Sequence, residues 1–279
     1  MKVFKHHLDL SDLIKKLNPP SLGLVPTMGA LHKGHLTLVE SSTQDNPLTI
    51  VSIFVNPTQF NDPKDLNAYP KTLAEDLQKL AHFGDSVMVY APDVADLYPS
   101  NTKADYYDLG SLETNMEGAY REGHFQGVAT IVHRLLKKIK PTHAYFGEKD
   151  FQQLRIIHQL VQQKKLPIQI VDCPTVREED GLAMSSRNTL LTTQERADAP
   201  FIYNTLIQLK DLKKKQSIPE ITAWVNRVFN EHPSFELDYF CIADGQTLSP
   251  VEQVSNSQKL RAFIAVKLGR VRLIDNVNF

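Results

Sequence analysis

Cysteine is scarce. Cys173 and Cys241 are the only two in 279 residues, far apart and in no ligand-like spacing. No disulfide framework can be read from them, and such usage fits a reduced, cytoplasmic protein. Charge of one sign is also lacking: 31 Lys and Arg stand against 32 Asp and Glu, a formal net charge of −1. A nucleic-acid partner gripped by bulk charge is thereby disfavoured. No run of about 18 apolar residues exists, so no membrane span is expected. Met1 to Leu17 has no long apolar core and contains Asp9 and Asp12, which argues against a signal peptide. Internal repeats and low-complexity tracts are missing. So are Gly-x-x-x-x-Gly-Lys-Ser/Thr and Gly-x-Gly-x-x-Gly, and the P-loop kinase and NAD-binding readings lose weight accordingly. What is present is enough apolar material, 42% of the chain, for one large or two modest domains.

Strand and helix signals alternate over the first 170 or so residues. Short runs rich in Val, Ile and aromatics read as strands at Leu22–Val25, Leu48–Val55, Ser86–Tyr90, His143–Gly147 and Ile168–Val171. Helices are expected between them, at Gly34 to Gln44, Thr72 to Phe83, Gly127 to Ile139 and Asp150 to Gln163. Thr72 and Glu75 have capping-box spacing, Gly84 is placed to stop that helix, and Pro141 ends the next. This alternation predicts a parallel sheet covered on both faces. The pattern changes after about Pro174. One helix is expected from Thr192-x-x-Glu195 to the Lys213–Lys215 run, and a second from Ser217 to just before Pro233. Strands follow at Leu237–Ala243, Arg261–Val266 and Val271–Ile274, an α+β pattern. The lysine run reads as a solvated helix end.

Chemistry concentrates at Val25-Pro-Thr-Met-Gly-Ala-Leu-His-Lys-Gly-His35. A buried strand, a turn punctuated by Pro26 and Gly29, and a helix start form a phosphate-facing corner, because free backbone N–H groups and the helix dipole point at the ligand. His32 and His35, three apart, share a face and can reach one phosphate. The His-x-Gly-His pattern is that of nucleotidyl-transfer enzymes. A zinc site is the competing reading, but no third and fourth ligands lie near.

Three further segments carry polar groups just past strand ends. Phe54-Val-Asn56-Pro-Thr-Gln59-Phe60 offers amides that both donate and accept, as a hydroxylated ligand requires; Asn56-Pro57 could instead be turn chemistry. In Phe146-Gly147-Glu148-Lys149-Asp150, Lys149 suits phosphate, while Asp150 suits ribose or a helix cap. Val176 to Asn188 places Ser185, Ser186 and Arg187 between the two parts of the chain, where hydroxyls and a guanidinium can close on a polyphosphate.

Together the segments Pro26–His35, Ser52–Phe60, Ala68–Lys71, Gly123–Gly127, Phe146–Leu154 and Pro174–Asn188 resemble the pantoate–β-alanine ligase (pantothenate synthetase) family. The likeness continues weakly through Leu237–Ala243 and Val271–Asn276. Glu122 stands where many relatives are expected to carry proline, which leaves Arg121 and His124 in place. The resemblance implies a Rossmann-like nucleotidyltransferase domain at residues 1–174, holding ATP and pantoate, and a small α+β lid at 175–279. It implies attack of pantoate's carboxylate on the α-phosphate of ATP, then attack of β-alanine's amine on the pantoyl adenylate. His32, His35 and the Met28 N–H would serve the reacting phosphorus. Lys149, Ser185, Ser186 and Arg187 would hold the β- and γ-phosphates with Mg²⁺, and Asp76, rather than Glu75, would orient the magnesium shell. Pro26, Thr27, Gly29 and Glu148 would line the nucleotide side, Gly147 and Asp150 the ribose, and Val176 and Met184 the adenine. Gln59 and Gln153 would bracket pantoate, with Phe54 behind its methyls and Asn56 and Tyr69 nearby. A homodimer joined through the N-terminal domain is implied too.

Three rival readings fit the sequence less well. A transferase with a phosphate acceptor would favour Arg or Lys over Gln59 and Gln153. An RNA-binding synthetase fragment would need basic charge and a further domain. A non-catalytic relative would not need the full set of polar groups. The loop Glu178–Asn188 holds three acidic residues, a glycine and two serines, with Leu182 and Met184 as its apolar anchors. It is therefore expected to be mobile until nucleotide binds, since Arg187 has no evident carboxylate partner.

Overall fold

Six short segments pair in parallel into one sheet in the computed structural model of the chain, which describes residues 1–253 and 259–279. They are β1 (Lys2–Phe4), β2 (Leu22–Thr27), β3 (Leu48–Ile53), β4 (Val87–Tyr90), β5 (His143–Gly147) and β6 (Gln169–Cys173), in the order β1-β4-β3-β2-β5-β6. Their middles are continuous apolar runs because helices cover both faces. Leu24, Ile50 and Met88 face one core with helix His124–Ile139. Val25, Val51 and Val89 face the other, with Val39 of helix Lys33–Asp45. β1 and helix His7–Leu17 had no reading from sequence; a three-residue strand is too short to show alternation.

A second sheet is antiparallel, with β7 (Phe235–Asp244), β8 (Leu260–Leu268) and β9 (Val271–Asn278) in that order. Helices Phe201–Leu212 and Ile218–Glu231 pack on it through Leu206, Ile221, Val225 and Phe229, against Ala262, Ile264 and Val266. Successive strand residues face opposite ways, so Phe263 of β8 packs instead into the core of the first sheet. β8 is therefore buried on both faces. Among the described residues no helix is long and apolar enough to cross a membrane.

Two local expectations fail. The helix starting at Thr192 breaks into Thr193–Asp198 and Phe201–Leu212, where Pro200 removes an N–H from the ladder. The Thr72 box does not form: its hydroxyl donates to Asp76 Oδ2 at 3.3 Å instead. The Thr192–Glu195 and Ser217–Glu220 boxes do form. Lys213, Lys214 and Lys215 are exposed, as a solvated helix end should be.

The site is positioned by where β2 and β5 separate. β2 pairs with β3 along all six residues but with β5 only at Gly23 and Leu24. Beyond those rows the strands diverge at the point where strand order reverses, which opens a crevice at their carboxyl ends. Pro26, lacking an N–H, falls where pairing with β5 has already ended.

Candidate active site

The loop from β2 to helix Lys33–Asp45 is built backwards from a buried carboxylate. Gly29 and Ala30 both have positive φ, at 83° and 49°, a turn that glycine adopts without a Cβ penalty. Asp76, wholly buried, accepts from the N–H of Ala30 at 2.9 Å and of Leu31 at 2.7 Å. One turn on, Lys79 donates to the Leu31 carbonyl. The loop is thus held by two side chains of helix Leu73–Leu80, and His32 becomes the first residue ahead of helix Lys33–Asp45. His35 Nδ1 accepts from the His32 N–H at 3.3 Å. An imidazole whose Nδ1 accepts carries its proton on Nε2, so His35 presents Nε2–H as a donor. Burial first, then neighbouring His32, lowers its pKa to about 3. Burial and Lys149 lower that of His32 to about 4. Both rings are neutral donors at physiological pH.

After β3, the turn Pro57–Gln59 is locked from three sides. Asn56 Nδ2 donates to Gln59 Oε1 and to the Gly127 carbonyl, each at 3.1 Å. Its Oδ1 accepts from Tyr98 at 2.6 Å and from Thr58 at 3.1 Å. Glycine is required at 127 because a Cβ there would lie 2.2 Å from the Thr58 carbonyl. With Oε1 occupied, the Gln59 amide nitrogen is fixed, 3.0 Å from Met28 Sδ. His124 Nδ1 donates to the Gln59 carbonyl at 2.7 Å, so its Nε2 accepts from Arg121 at 3.2 Å. Burial, then Arg121, lowers the His124 pKa to about 4. Arg121 is itself half-buried, and among the described residues no carboxylate pairs with it.

Past β5, Lys149 pairs with Asp150 at 3.3 Å. Burial alone would raise the Asp150 pKa, but Lys149 outweighs it and the carboxyl stays below its usual range. The helix-cap reading of Asp150 fails, since its side chain makes no cap hydrogen bond. Across the crevice, Val176 and Met184 face each other through the Met184 N–H and Val176 carbonyl at 3.0 Å. Ser186 Oγ lies 3.3 Å from the Tyr69 hydroxyl. Arg187 has a carboxylate partner after all: Asp65, at 3.1 Å, which the distance of 122 residues hid. The hairpin before it is also better anchored than its composition suggests. Leu182 and Ala183 are buried, Arg177 bridges Ala183, and Asp180 pairs with Arg196 at 2.6 Å.

These elements enclose a cavity of about 240 Å³. On the β2 side it is lined by Pro26, Thr27, Met28, His32 and His35, and on the β3 side by Phe54, Asn56, Gln59 and Tyr69. Gly147, Lys149, Asp150 and Gln153 follow, and Val176, Met184, Ser185, Ser186 and Arg187 close it. Gly29 lies behind this lining and shapes the turn. The Glu148 side chain turns away to Arg261 at 3.0 Å. Asp76 does not reach the cavity, and both its oxygens are occupied by backbone donors, so it is no magnesium ligand; Glu75 is exposed and does not line the cavity. Among the described residues no cluster of three His, Cys, Asp or Glu side chains could hold a metal. Asp150 is the one carboxylate lining the cavity among them. Arg121 and His124 line it too but had no role assigned from sequence; their only signal was two polar groups in the Gly123–Gly127 neighbourhood.

Comparison with known proteins agrees with this geometry. The family model described as pantoate-β-alanine ligase matches residues 2–278. The pantothenate synthetase of Flavobacterium psychrophilum is 48% identical over 280 residues, covering 100% of this chain and 99% of that protein. A crystal structure of the Thermus thermophilus enzyme superposes with a TM-score of 0.92 at 38% identity, over 99% of both chains. The pantoate-β-alanine ligase of Francisella tularensis, solved in complex with β-γ ATP and β-alanine, gives a TM-score of 0.82 at 35% identity, over 100% of this chain and 97% of that one. The chain belongs to the pantoate–β-alanine ligase family.

Proposed function

We infer that this cleft condenses pantoate with β-alanine at the expense of ATP, through a pantoyl adenylate, releasing AMP and pyrophosphate and yielding the pantothenate from which coenzyme A is made. One observation carries the chemistry: His35 is locked as a neutral imidazole with its proton on Nε2, facing a crevice at a helix start. Charge builds on the α-phosphate as pantoate's carboxylate adds, and a donor fixed in advance stabilises it without reorganisation. His32 and the Met28 N–H assist from the same corner. Gln59 and Gln153 hold pantoate's hydroxyls and carboxylate, and Phe54 backs its methyls. Gly147 and Asp150 meet the ribose, and Val176 and Met184 the adenine.

Lys149, Ser185, Ser186 and Arg187 take the β- and γ-phosphates. Mg²⁺ enters as part of the nucleotide substrate, since Asp76 is spent inside the loop. β-Alanine then adds through its free amine to the acyl carbon, and AMP leaves. Arg121, half-buried beside the pantoate pocket with no carboxylate partner among the described residues, suits the acceptor's carboxylate. Residues 175–279 act as the lid over an intermediate that water would destroy. A homodimer through the N-terminal part, in the cytoplasm, completes the reading; light scattering on the purified protein checks the dimer. ATP, pantoate, β-alanine and Mg²⁺ should release AMP only when both acids are present in excess. Steady AMP release that ignores omission of either acid would overturn the assignment.

A further inference from the structure

We propose that Asp275 and Asn276, neighbours on β9, are positioning residues that register the two phosphate-facing elements of the cleft to one another. This rests on the reading that Lys149 and Arg187 contact the polyphosphate. Lys149 sits in a single 3-10 turn, Glu148–Asp150, which by itself restrains a side chain weakly. The Asn276 amide supplies the restraint from outside the sheet that carries the turn. Its Nδ2 donates to the Glu148 carbonyl at 3.0 Å and to the Lys149 carbonyl at 2.8 Å. The amide is in turn oriented by Arg261, which donates to Asn276 Oδ1 and, at 3.0 Å, to Glu148 Oε2, with its guanidinium 3.8 Å over the Phe151 ring.

Asp275 does the same for the opposite wall. It is buried, and accepts both Arg177 terminal nitrogens, at 2.6 and 2.9 Å. Arg177 also donates to the Gly181 carbonyl at 3.1 Å and lies 3.8 Å over the Tyr203 ring, so the hairpin leading to Ser185–Arg187 is fastened through it. Asp275 Oδ1 further accepts the Asn276 N–H at 2.7 Å, which ties the two side chains at their root. Adjacent residues of a strand point to opposite sides, which lets one dipeptide reach both elements. Any shift of β9 therefore moves Lys149 and the serine loop together. The spacing of the two cationic groups is set by one strand rather than by two independent loops.

The test is a pair of double-mutant cycles read by pantoate-dependent exchange of pyrophosphate into ATP. Asn276→Leu should lower kcat/KM for ATP by about 10- to 100-fold, the scale of an ångström-level misplacement, while the KM for pantoate stays within about threefold. In a Lys149→Ala background the same change should cost less than about twofold, because residues acting through one group are not additive. Asp275→Asn and Arg187→Ala should show the same non-additivity. Asn276→Asp, alike in shape but without the amide donors, goes through the same cycle with the thermal midpoint recorded, so that a failure of Asn276→Leu to fold decides nothing. Additive losses in the Asn276 and Lys149 cycle, or equal rises in both KM values, overturn the proposal. A Lys149→Ala protein with undiminished exchange would instead refute the phosphate reading on which it rests.

Discussion

The two walls of the cleft are held by different kinds of interaction. The β2–β3 wall is fastened by buried, fully occupied hydrogen bonds: Asp76 to two backbone N–H groups, Asn56 to Gln59 and Gly127. The wall carrying Ser185–Arg187 faces the cleft through an ion pair, Arg187 with Asp65, whose side chains are 29% and 43% exposed. Buried hydrogen bonds are costly to break, since a stranded group loses its partner and cannot regain water. A half-exposed ion pair contributes only about 0.2–1 kcal/mol and exchanges partners easily. On the proposed function, catalytic donors and substrate-sorting amides belong on the first kind of wall. A group that must let go of protein to take phosphate belongs on the second. Asp275 and Asn276 then set where that exchangeable wall stands.

Removing a preset donor should break this comparison hardest. His35→Ala is expected to slow adenylation by about 10²-fold or more, the scale for one preorganised donor; rapid-quench measurement of pantoyl adenylate would show it. A loss under about threefold would remove His35 from the reacting centre. Gln59→Ala should come next, raising the KM for pantoate by about tenfold, as loss of a buried hydrogen bond of 1–2 kcal/mol implies, with the KM for ATP little changed. Equal rises in the two KM values would mean that the pocket is divided wrongly between the substrates.

Acid should weaken the preset wall through its histidines. His32, His35 and His124 titrate near 4, 3 and 4 in the folded chain, against 6.5 when free. Their folded pKa values are depressed, so below about pH 6.5 the unfolded chain takes up protons that the folded chain refuses. Stability is full above pH 6.5 and falls between about 6.5 and 3. Urea midpoints at pH 7.5 and 5 should show the drop, and His35→Gln should lessen it. A midpoint unchanged between those values would mean that the rings are not buried as described. The smallest effect belongs to the exchangeable wall. Asp65→Asn frees Arg187 for phosphate and should lower the KM for ATP by about two- to fivefold, in line with a half-exposed pair; a raised KM would make Asp65 a helper of nucleotide binding instead.

The parallel sheet was legible because its strands are short, predominantly apolar runs such as Leu22–Val25 and Leu48–Val55, and because Gly29, Gly84 and Pro141 punctuate between them. The lining of the cleft was legible where polar residues follow shortly after a strand end, as with His32, His35, Gln59 and Lys149. What sequence spacing could not show is who meets whom across the chain. Asp76 had the right charge for magnesium, yet its oxygens are consumed 46 and 45 residues upstream, at Ala30 and Leu31. Arg187 looked unpartnered because Asp65 lies 122 residues away. Glu148 stands beside Lys149 but answers to Arg261. Thr72 matched a capping box and bonded Asp76 instead. Each of these is a long-range or competing contact that overrides a local preference.

Hydrogen exchange resolved to single amides, with and without MgATP, tests the contrast between the walls most directly. The account expects the amides of Ala30, Leu31 and His32 to be equally protected in both states, since their bonds to Asp76 and His35 are already made. Glu178, Gly181 and Met184 should also be protected in both, their amides being bonded within the hairpin at 2.8, 2.9 and 3.0 Å. Protection should rise on nucleotide binding at Ser185, Ser186 and Arg187, where the Arg187 N–H is held by the Ser185 hydroxyl at 3.2 Å and the Arg187 side chain by a half-exposed ion pair that phosphate would replace. Equal protection of those three amides in both states, or slowing of exchange at Ala30, Leu31 and His32 instead, would contradict it.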